Sequence, residues 1–377
     1  MKKALLMAPM GSVHRRFNKA NIKALSELGY EVHLLANFEI GEGTEKQNQE
    51  YADECREKGI YTHSIPYQRH SLLKNLRLIK ETKALLKKEN FDLIHAHTET
   101  GGLILRLSLS VAKNAKLLYT PHGMSFYKGS SIKSQIIYRP VESWICKKMD
   151  SNLAINQEEY ETILAWKKDS AKLTHGIGLD VKNIQRPIKT KEEVLNEFGI
   201  AKNLTVILSI GELDDNKNHE TVLKALSKLD RRNFAYVICG IGEKDGYLLK
   251  LAEQLEISDR FVLAGYRRDI PDIINAADIF VFPSKHEGLP VSLMEAMAGG
   301  LPIICSDIRG NRDIIRDGEN GMLFNPNNVN ELTNKLSDLL NDRQKQLDFA
   351  KKVKKEVIFY SQEKVVEELK DIYGKQS

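Results

Sequence analysis

The sequence predicts an α/β protein built from two doubly wound domains in tandem. Three observations carry that prediction. Apolar runs of strand length alternate with stretches of helical periodicity along the chain, the pattern of parallel sheets covered on both faces. A strand, a glycine turn, a helix and a second strand open the sequence, and the same order restarts near residue 200. At 377 residues the chain also exceeds what one hydrophobic core usually supports.

The elements follow in order. Ala4–Ala8, after Lys2-Lys3, reads as a buried first strand, and Pro9-Met10-Gly11-Ser12 turns the chain. Phe17, Ile22, Leu25 and Leu28 space a helix that Gly29 stops, and Glu31–Ala36 is the next strand. Phe91–Ala96 and Lys116–Thr120 are further strands, with a helical segment over Gly102–Val111 between them. Thr174-His175-Gly176-Ile177-Gly178-Leu179-Asp180 and the charged stretch to Glu193 read as a hinge. The pattern then begins again with strand Leu204–Ile210, Gly211, helix Glu220–Leu229 and strand Phe234–Cys239. Gly11 and Gly211 thereby hold equivalent places. Strands are also expected at Arg260–Leu263, Ile279–Phe282, Pro302–Cys305 and Met322–Phe324; a last helix, Gln362–Tyr373, follows a break at Phe359–Ser361. Ligands of such sheets bind beyond the carboxyl ends of the strands, so two facing sheets put the expected active site in an interdomain cleft.

Composition narrows the class. A content of 42% apolar and 28% charged residues is ordinary for a globular protein. No apolar run approaches the roughly 18 residues of a membrane helix. Ala4–Met10 is short and lacks a cleavage site, so a signal peptide is not expected and the cytoplasm is the expected location. Cys55, Cys146, Cys239 and Cys305 are far apart, which supports neither zinc nor disulfides; Cys239 and Cys305 sit in apolar runs and read as buried thiols. Residues 1–180 hold 27 Lys and Arg against 20 Asp and Glu, whereas the remainder holds 29 against 31. A basic first half suggests a different partner for each half, with scatter among surface charges as the plain alternative. Arg69–Lys88 reads as a basic amphipathic helix, with Leu72, Leu76, Ile79, Lys83 and Leu86 on one stripe and Lys74, Arg77, Lys80, Lys87 and Lys88 elsewhere. Such a helix can dock on anionic lipid or simply cover a sheet. The basicity lacks interleaved aromatics, so nucleic acid is not an expected partner.

The sharpest local feature is Pro283-Ser284-Lys285-His286-Glu287-Gly288-Leu289-Pro290-Val291, leading into Ser292–Gly300. A strand ends at Phe282, a polar loop follows, and a helix starts near Val291. Its free amides and dipole make an anion site at the N-terminus. Glu287 lies beside that terminus and Glu295 about a turn inside the helix. Carboxylates there cannot bind phosphate, but they suit the hydroxyls of a ribose and a pyranose. On spacing alone, a dipole-stabilising Glu287 and a solvated Glu295 remain an open alternative. No Asp-x-Asp and no GxxxxGK[ST] occurs, which disfavours metal-held diphosphates and P-loop kinases. Gly240-Ile241-Gly242 with Gly246 is only faintly like a dinucleotide fingerprint.

The segment resembles the signature of glycosyltransferase family 4, retaining enzymes of the GT-B fold, in which two glutamates flank seven residues. Glu287 and Glu295 match that spacing, and Gly288, Ala296 and Gly300 fall where small residues occur. The resemblance continues through Asn275-Ala276-Ala277-Asp278, Asp307-Ile308-Arg309-Gly310, Asp317–Gly321, the hinge and the Gly11 loop. Gly211–His219 and His95-Ala96-His97-Thr98 look like the branch that builds bacterial surface polysaccharides. The resemblance implies two Rossmann-like domains, 1–178 for the acceptor and 179–360 for a nucleotide sugar, with the helix in 361–377 packing back on the first.

It also implies roles. Glu295 would bind the ribose hydroxyls and Glu287 the transferred sugar, with the Gly288 and Leu289 amides near the distal phosphate and Pro290 and Val291 as further donor contacts. Lys217 would neutralise the departing diphosphate, whose growing charge needs a nearby cation. The family's usual arginine five residues earlier is Glu212 here, which leaves Arg267 or Arg268 as substitutes, or the backbone of Gly265–Asp269 as the reader of the base. Gly11 and Ser12 would approach the donor, or form an ordinary turn; Ser12 departs from the family's paired glycines. His122, in Thr120-Pro121-His122-Gly123, would lie beside the sugar, with a core histidine as the alternative. His14, Arg15 and His97 are the expected acceptor contacts, and His95 and His97 are expected on opposite sides of their strand. The whole implies a retaining, metal-independent transferase using a UDP-sugar and a lipid-diphosphate-linked saccharide at the inner membrane face. A GT-B nucleotide-sugar epimerase and a non-catalytic nucleotide-sugar-binding protein stay open beside it.

Overall fold

β1 (Lys3–Met10) has six consecutive buried residues, so both its faces are covered, as a central strand of a parallel sheet requires. The computed structural model describes residues 1–40, 45–67, 72–112, 114–230 and 232–374. The chain divides into two compact units, Met1–Gly178 together with the segment from Gln362 onward, and Leu179–Ser361.

In the first unit β1 shares one sheet with β2 (Glu31–Asn37), β3 (Tyr61–Ser64), β4 (Leu93–His97), β5 (Lys116–Thr120), β6 (Ser151–Ala154) and β7 (Ala171–Leu173). Its order is β3-β2-β1-β4-β5-β6-β7, with every pair parallel. The second unit orders β8 (Thr205–Ile210), β9 (Phe234–Cys239), β10 (Phe261–Gly265), β11 (Ile279–Phe282), β12 (Ile303–Ser306) and β13 (Met322–Phe324) as β10-β9-β8-β11-β12-β13, again parallel. Each sheet is doubly wound. The strand order reverses between β1 and β4 in one and between β8 and β11 in the other, and such switch points open the crevice where ligands bind.

Alternation along the strands builds a core on each face. Leu5 and Met7 join Ile94, Ala96 and Tyr119 on one side of the first sheet, while Ala4 and Leu6 join Leu34, Leu93 and Leu118 on the other. The C-terminal helix Gln362–Gly374 covers that second side through Val365, Val366, Leu369 and Tyr373. In the second unit Val206 and Leu208 face one core and Ile207 the other. All four cysteines are buried and unbridged. Among the described residues no helix is long and apolar enough to cross a membrane.

Two expectations change here. β3, β6 and β7 are strands that no apolar run announced, because they are short, polar or half-exposed: Tyr61–Ser64 is never fully buried, and β6 reads Ser-Asn-Leu-Ala. Within Arg69–Lys88 the helix is Leu72–Glu89, and Arg69 lies outside the described residues. The row facing the core is Leu78, Thr82 and Leu86, with Ile79 and Lys83 half-buried beside it. Leu78 and Leu86 are committed to the core that covers the sheet, and the side chains of Leu72, Lys74 and Leu76 lie outside the described residues.

Candidate active site

The loops at the second switch point carry the motif residues. After β8, Lys217 stands between two asparagines that tie this loop to the one after β11. Asn216 Nδ2 donates to His286 O at 3.1 Å, and Asn216 O accepts from Lys285 N at 2.8 Å. Asn218, in the left-handed region at φ +55°, donates to Pro283 O at 3.1 Å and Pro326 O at 3.0 Å. Held on both sides, Lys217 Nζ reaches Glu287 Oε1 at 2.6 Å, with side chains 21% and 14% exposed, and lies over the Phe282 ring at 5.3 Å. Charge-assisted contacts of this length are among the stronger hydrogen bonds.

Glu287 lies in the loop before the helix Val291–Gly299, which Pro290 caps, and Glu295 is half-buried inside that helix. Gly288, Leu289 and Val291 are half-buried and Pro290 is buried. Arg309, which carried no assigned role, braces this loop: Nε donates to Glu287 O at 3.3 Å and Nη2 meets His286 Nε2 at 2.8 Å. A side chain on Gly310 would strike the carbonyl oxygen of Gly288, so glycine is required for this close approach. Burial, with Arg309 and Lys217 nearby, pushes His286 down to about 4. Gly240 is explained the same way. A Cβ there would overlap the Gly211 carbonyl, so the faint dinucleotide pattern reflects two loops in backbone contact.

Arg267 is not a free substitute for the missing arginine. It donates to Asp269 at 2.8 and 2.6 Å and pairs with Glu197 at 2.6 Å, and those carboxylates hold its guanidinium above the usual range. Its charge is already balanced. Arg268 and Glu212 are exposed.

At the first switch point the histidines gather. His97 ends β4, and its Nδ1 lies 2.9 Å from His122 Nε2, whose ring stacks on Phe17 at 5.2 Å. The His95 and His97 rings are 4.1 Å apart, so both face one side of the sheet, which corrects the expectation of opposite sides. Residues two apart in a strand share a face. His95 contacts Tyr373 Oη and Thr120 Oγ1, each at 2.8 Å, so the C-terminal helix reaches the cluster. Burial pushes His122 down to about 4 and His97 well below its ordinary value. His97 Nε2 and His122 Nδ1 are buried without hydrogen-bond partners. Backbone strain concentrates here: Thr98 at φ +68° and His122 at φ +59° both occupy the left-handed region.

His14 does not face outward as an acceptor contact would. It is fully buried, with Nε2 3.2 Å from Leu35 O and Nδ1 2.8 Å from Asn18 Nδ2. Ser12 is buried and Arg15 half-buried in the same helix, Gly11–Phe17. A side chain on Gly11 would meet Phe38 at 2.6 Å, so packing alone demands that glycine. Among the described residues no three His, Cys, Asp or Glu side chains gather as metal ligands would.

Residues 16–175 match the family model described as Glycosyltransferase Family 4, and residues 190–356 the one described as Glycosyl transferases group 1. The "Putative glycosyltransferase EpsD" of Bacillus subtilis (strain 168) is 30% identical over 382 residues, covering 99% of this chain and 96% of that one. The chain belongs to glycosyltransferase family 4. A second relative of the family, the UDP-Gal:alpha-D-GlcNAc-diphosphoundecaprenol alpha-1,3-galactosyltransferase of Escherichia coli, is 27% identical over 388 residues, covering 97% and 98% of the two chains. The crystal structure of Anabaena Alr3699/HepE in complex with UDP and glucose matches with a TM-score of 0.82 at 17% identity, both chains fully covered. The fold of this family 4 glycosyltransferase is therefore GT-B. Its two motif glutamates and its lysine all lie in or beside the loops after β8 and β11, where a doubly wound sheet binds ligands.

Proposed function

We propose that this glycosyltransferase moves a sugar from a UDP-sugar to a lipid-diphosphate-linked saccharide, with retention and without a metal, at the cytoplasmic face of the membrane during surface-polysaccharide assembly. The Lys217–Glu287 pair carries the reading. Without donor, each group neutralises the other. A bound diphosphate competes for Lys217 and leaves Glu287 to accept from sugar hydroxyls, while Glu295 accepts from the ribose. In transfer, the bond from the anomeric carbon to the diphosphate oxygen breaks as the acceptor oxygen bonds to that carbon. The acceptor's proton passes to the departing phosphate oxygen on the same face. Lys217 stabilises the charge that grows there. His122, neutral because burial lowers it to about 4, serves as a hydrogen-bonding group to sugar or acceptor rather than as a strong base. The Escherichia coli relative's named donor and diphospholipid acceptor and the UDP held by the Anabaena fold neighbour support the substrate classes.

Labelled UDP-sugars incubated with undecaprenyl-diphosphate saccharides in excess EDTA test the reading. Label in the lipid product, with an unchanged anomeric configuration, is expected. A requirement for magnesium would remove the metal-free part, and conversion of the donor alone into a new nucleotide sugar would replace transfer by epimerisation. UDP at about 100 times its Kd should also stabilise the protein by about 2.7 kcal/mol without metal.

A further inference from the structure

The helix Ile132–Cys146, in the first unit, turns apolar side chains outward. Ile132 is 78% exposed, Ile136 68% and Ile137 47%, with Tyr138 and Trp144 also exposed. Amphipathic helices of globular proteins point such residues inward. Here Glu142, Ile145 and Cys146 are the buried ones. At 100° per residue, Ile132, Ile136, Pro140 and Trp144 form one outward ridge, with Lys133 and Ile137 alongside. This is no fraying end. Ser131 caps the helix by accepting from Ser134 N, and Gln135 donates to Tyr127 O at 2.7 Å and Ser130 Oγ at 2.9 Å.

Charge completes the picture. From Phe126 to Met149 the cations are Lys128, Lys133, Arg139, Lys147 and Lys148, and the only carboxylate is Glu142. Glu142 is fully buried and accepts from Tyr119 Oη at 2.8 Å, so it puts no negative charge on the surface. Arg106 from the neighbouring helix adds a further cation, stacked 4.0 Å over Trp144. An apolar ridge flanked by cations, with the one acid of the helix buried, matches a helix lying in the headgroup region of an anionic bilayer. Two copies of this face would instead oppose like charges.

We infer that the outward face of Ile132–Cys146 docks the enzyme on anionic lipid, with Ile132, Ile136 and Ile137 inserted and Lys133, Arg139, Lys147 and Lys148 at the phosphates. The helix begins at the end of the first sheet where β5 delivers His122. A docked bilayer therefore presents diphosphate headgroups on the side of the histidine cluster. The inference deepens the membrane part of the proposed function and rests on that reading for a bilayer as occupant. Its test reads lipid binding without sugar transfer, so either can fail alone.

The test is vesicle flotation of the full chain, comparing pure phosphatidylcholine with vesicles enriched in phosphatidylglycerol. The wild type should float with the anionic vesicles, less so in high salt, and weakly with the neutral ones. I132S/I136S/I137S should lose about tenfold or more in partitioning with its melting temperature unchanged. Should that variant fold poorly, K133E/R139E carries the test by abolishing the preference for anionic lipid. A wild type that stays below the anionic vesicles, or variants that float as it does, would overturn the inference. So would a change from dimer to monomer in the triple variant with flotation unaltered, because a second copy would then be the occupant.

Discussion

Lys217 reaches its carboxylate because Asn216 and Asn218 sew its loop to the segment before the motif helix. Removing the amine in Lys217→Ala takes the cation from the departing diphosphate, so turnover should fall by about a hundredfold, with a much smaller change in donor KM. Glu295→Ala should do the reverse, weakening donor binding measured by calorimetry; equal affinity in both proteins would cancel the ribose assignment. Arg309 acts through the backbone it holds. Arg309→Lys keeps the charge but loses the planar fork between Glu287 O and His286, so donor KM should rise while the fold persists. An unchanged KM would show that the loop needs no such brace.

At the scale of elements, the junction from β4 into the helix Thr98–Ser108 is where the first unit stores strain. Thr98 is β-branched and sits at φ +68°, a conformation glycine adopts freely. Thr98→Gly should raise stability by about 1 kcal/mol in denaturant unfolding by relieving that strain, and lower turnover by loosening the aim of His97; an unchanged stability would show that Thr98 sits there without strain. The same scale shows what could be read beforehand. β9 and β11 were legible to the residue, because a strand buried on both faces writes a continuous apolar run. β6 was not, since the buried Asn152 Nδ2 donates to Cys146 O and Ser170 Oγ, partners supplied by the tertiary fold. Glu287 and Glu295 were legible as a contiguous string. Arg309 and His286 lie 23 positions apart, and Tyr373 and His95 lie 278 apart, distances over which no local pattern speaks. The surroundings of His14 were illegible for the same reason: Leu35 and Asn18, which close around it, come from beyond its own turn.

For the whole molecule, buried titrating groups set opposite slopes with pH. His14 and His122 in the first unit and His219 and His286 in the second are each pushed down to about 4, chiefly by burial. Their unfolded counterparts take up protons below about 6.5, so this contribution is complete above that pH and is lost as the pH falls toward 4. Glu142 runs the other way. Burial raises it to about 8, so its contribution is full below about 4.5 and declines as the pH rises through 8. Melting curves across this range should show Glu142→Gln losing less stability than wild type on the alkaline side while keeping the same acid loss; parallel curves would mean that Glu142 ionises freely in the fold. The C-terminal helix adds a consequence in time. Val365, Val366, Leu369 and Tyr373 complete the core of the first unit, yet they follow the entire second unit in the chain. During synthesis the second unit can close as soon as it leaves the ribosome. The first, though made earlier, waits with an open flank and an unsupported His95 until the final turns emerge, so the domain begun first is the last to be finished.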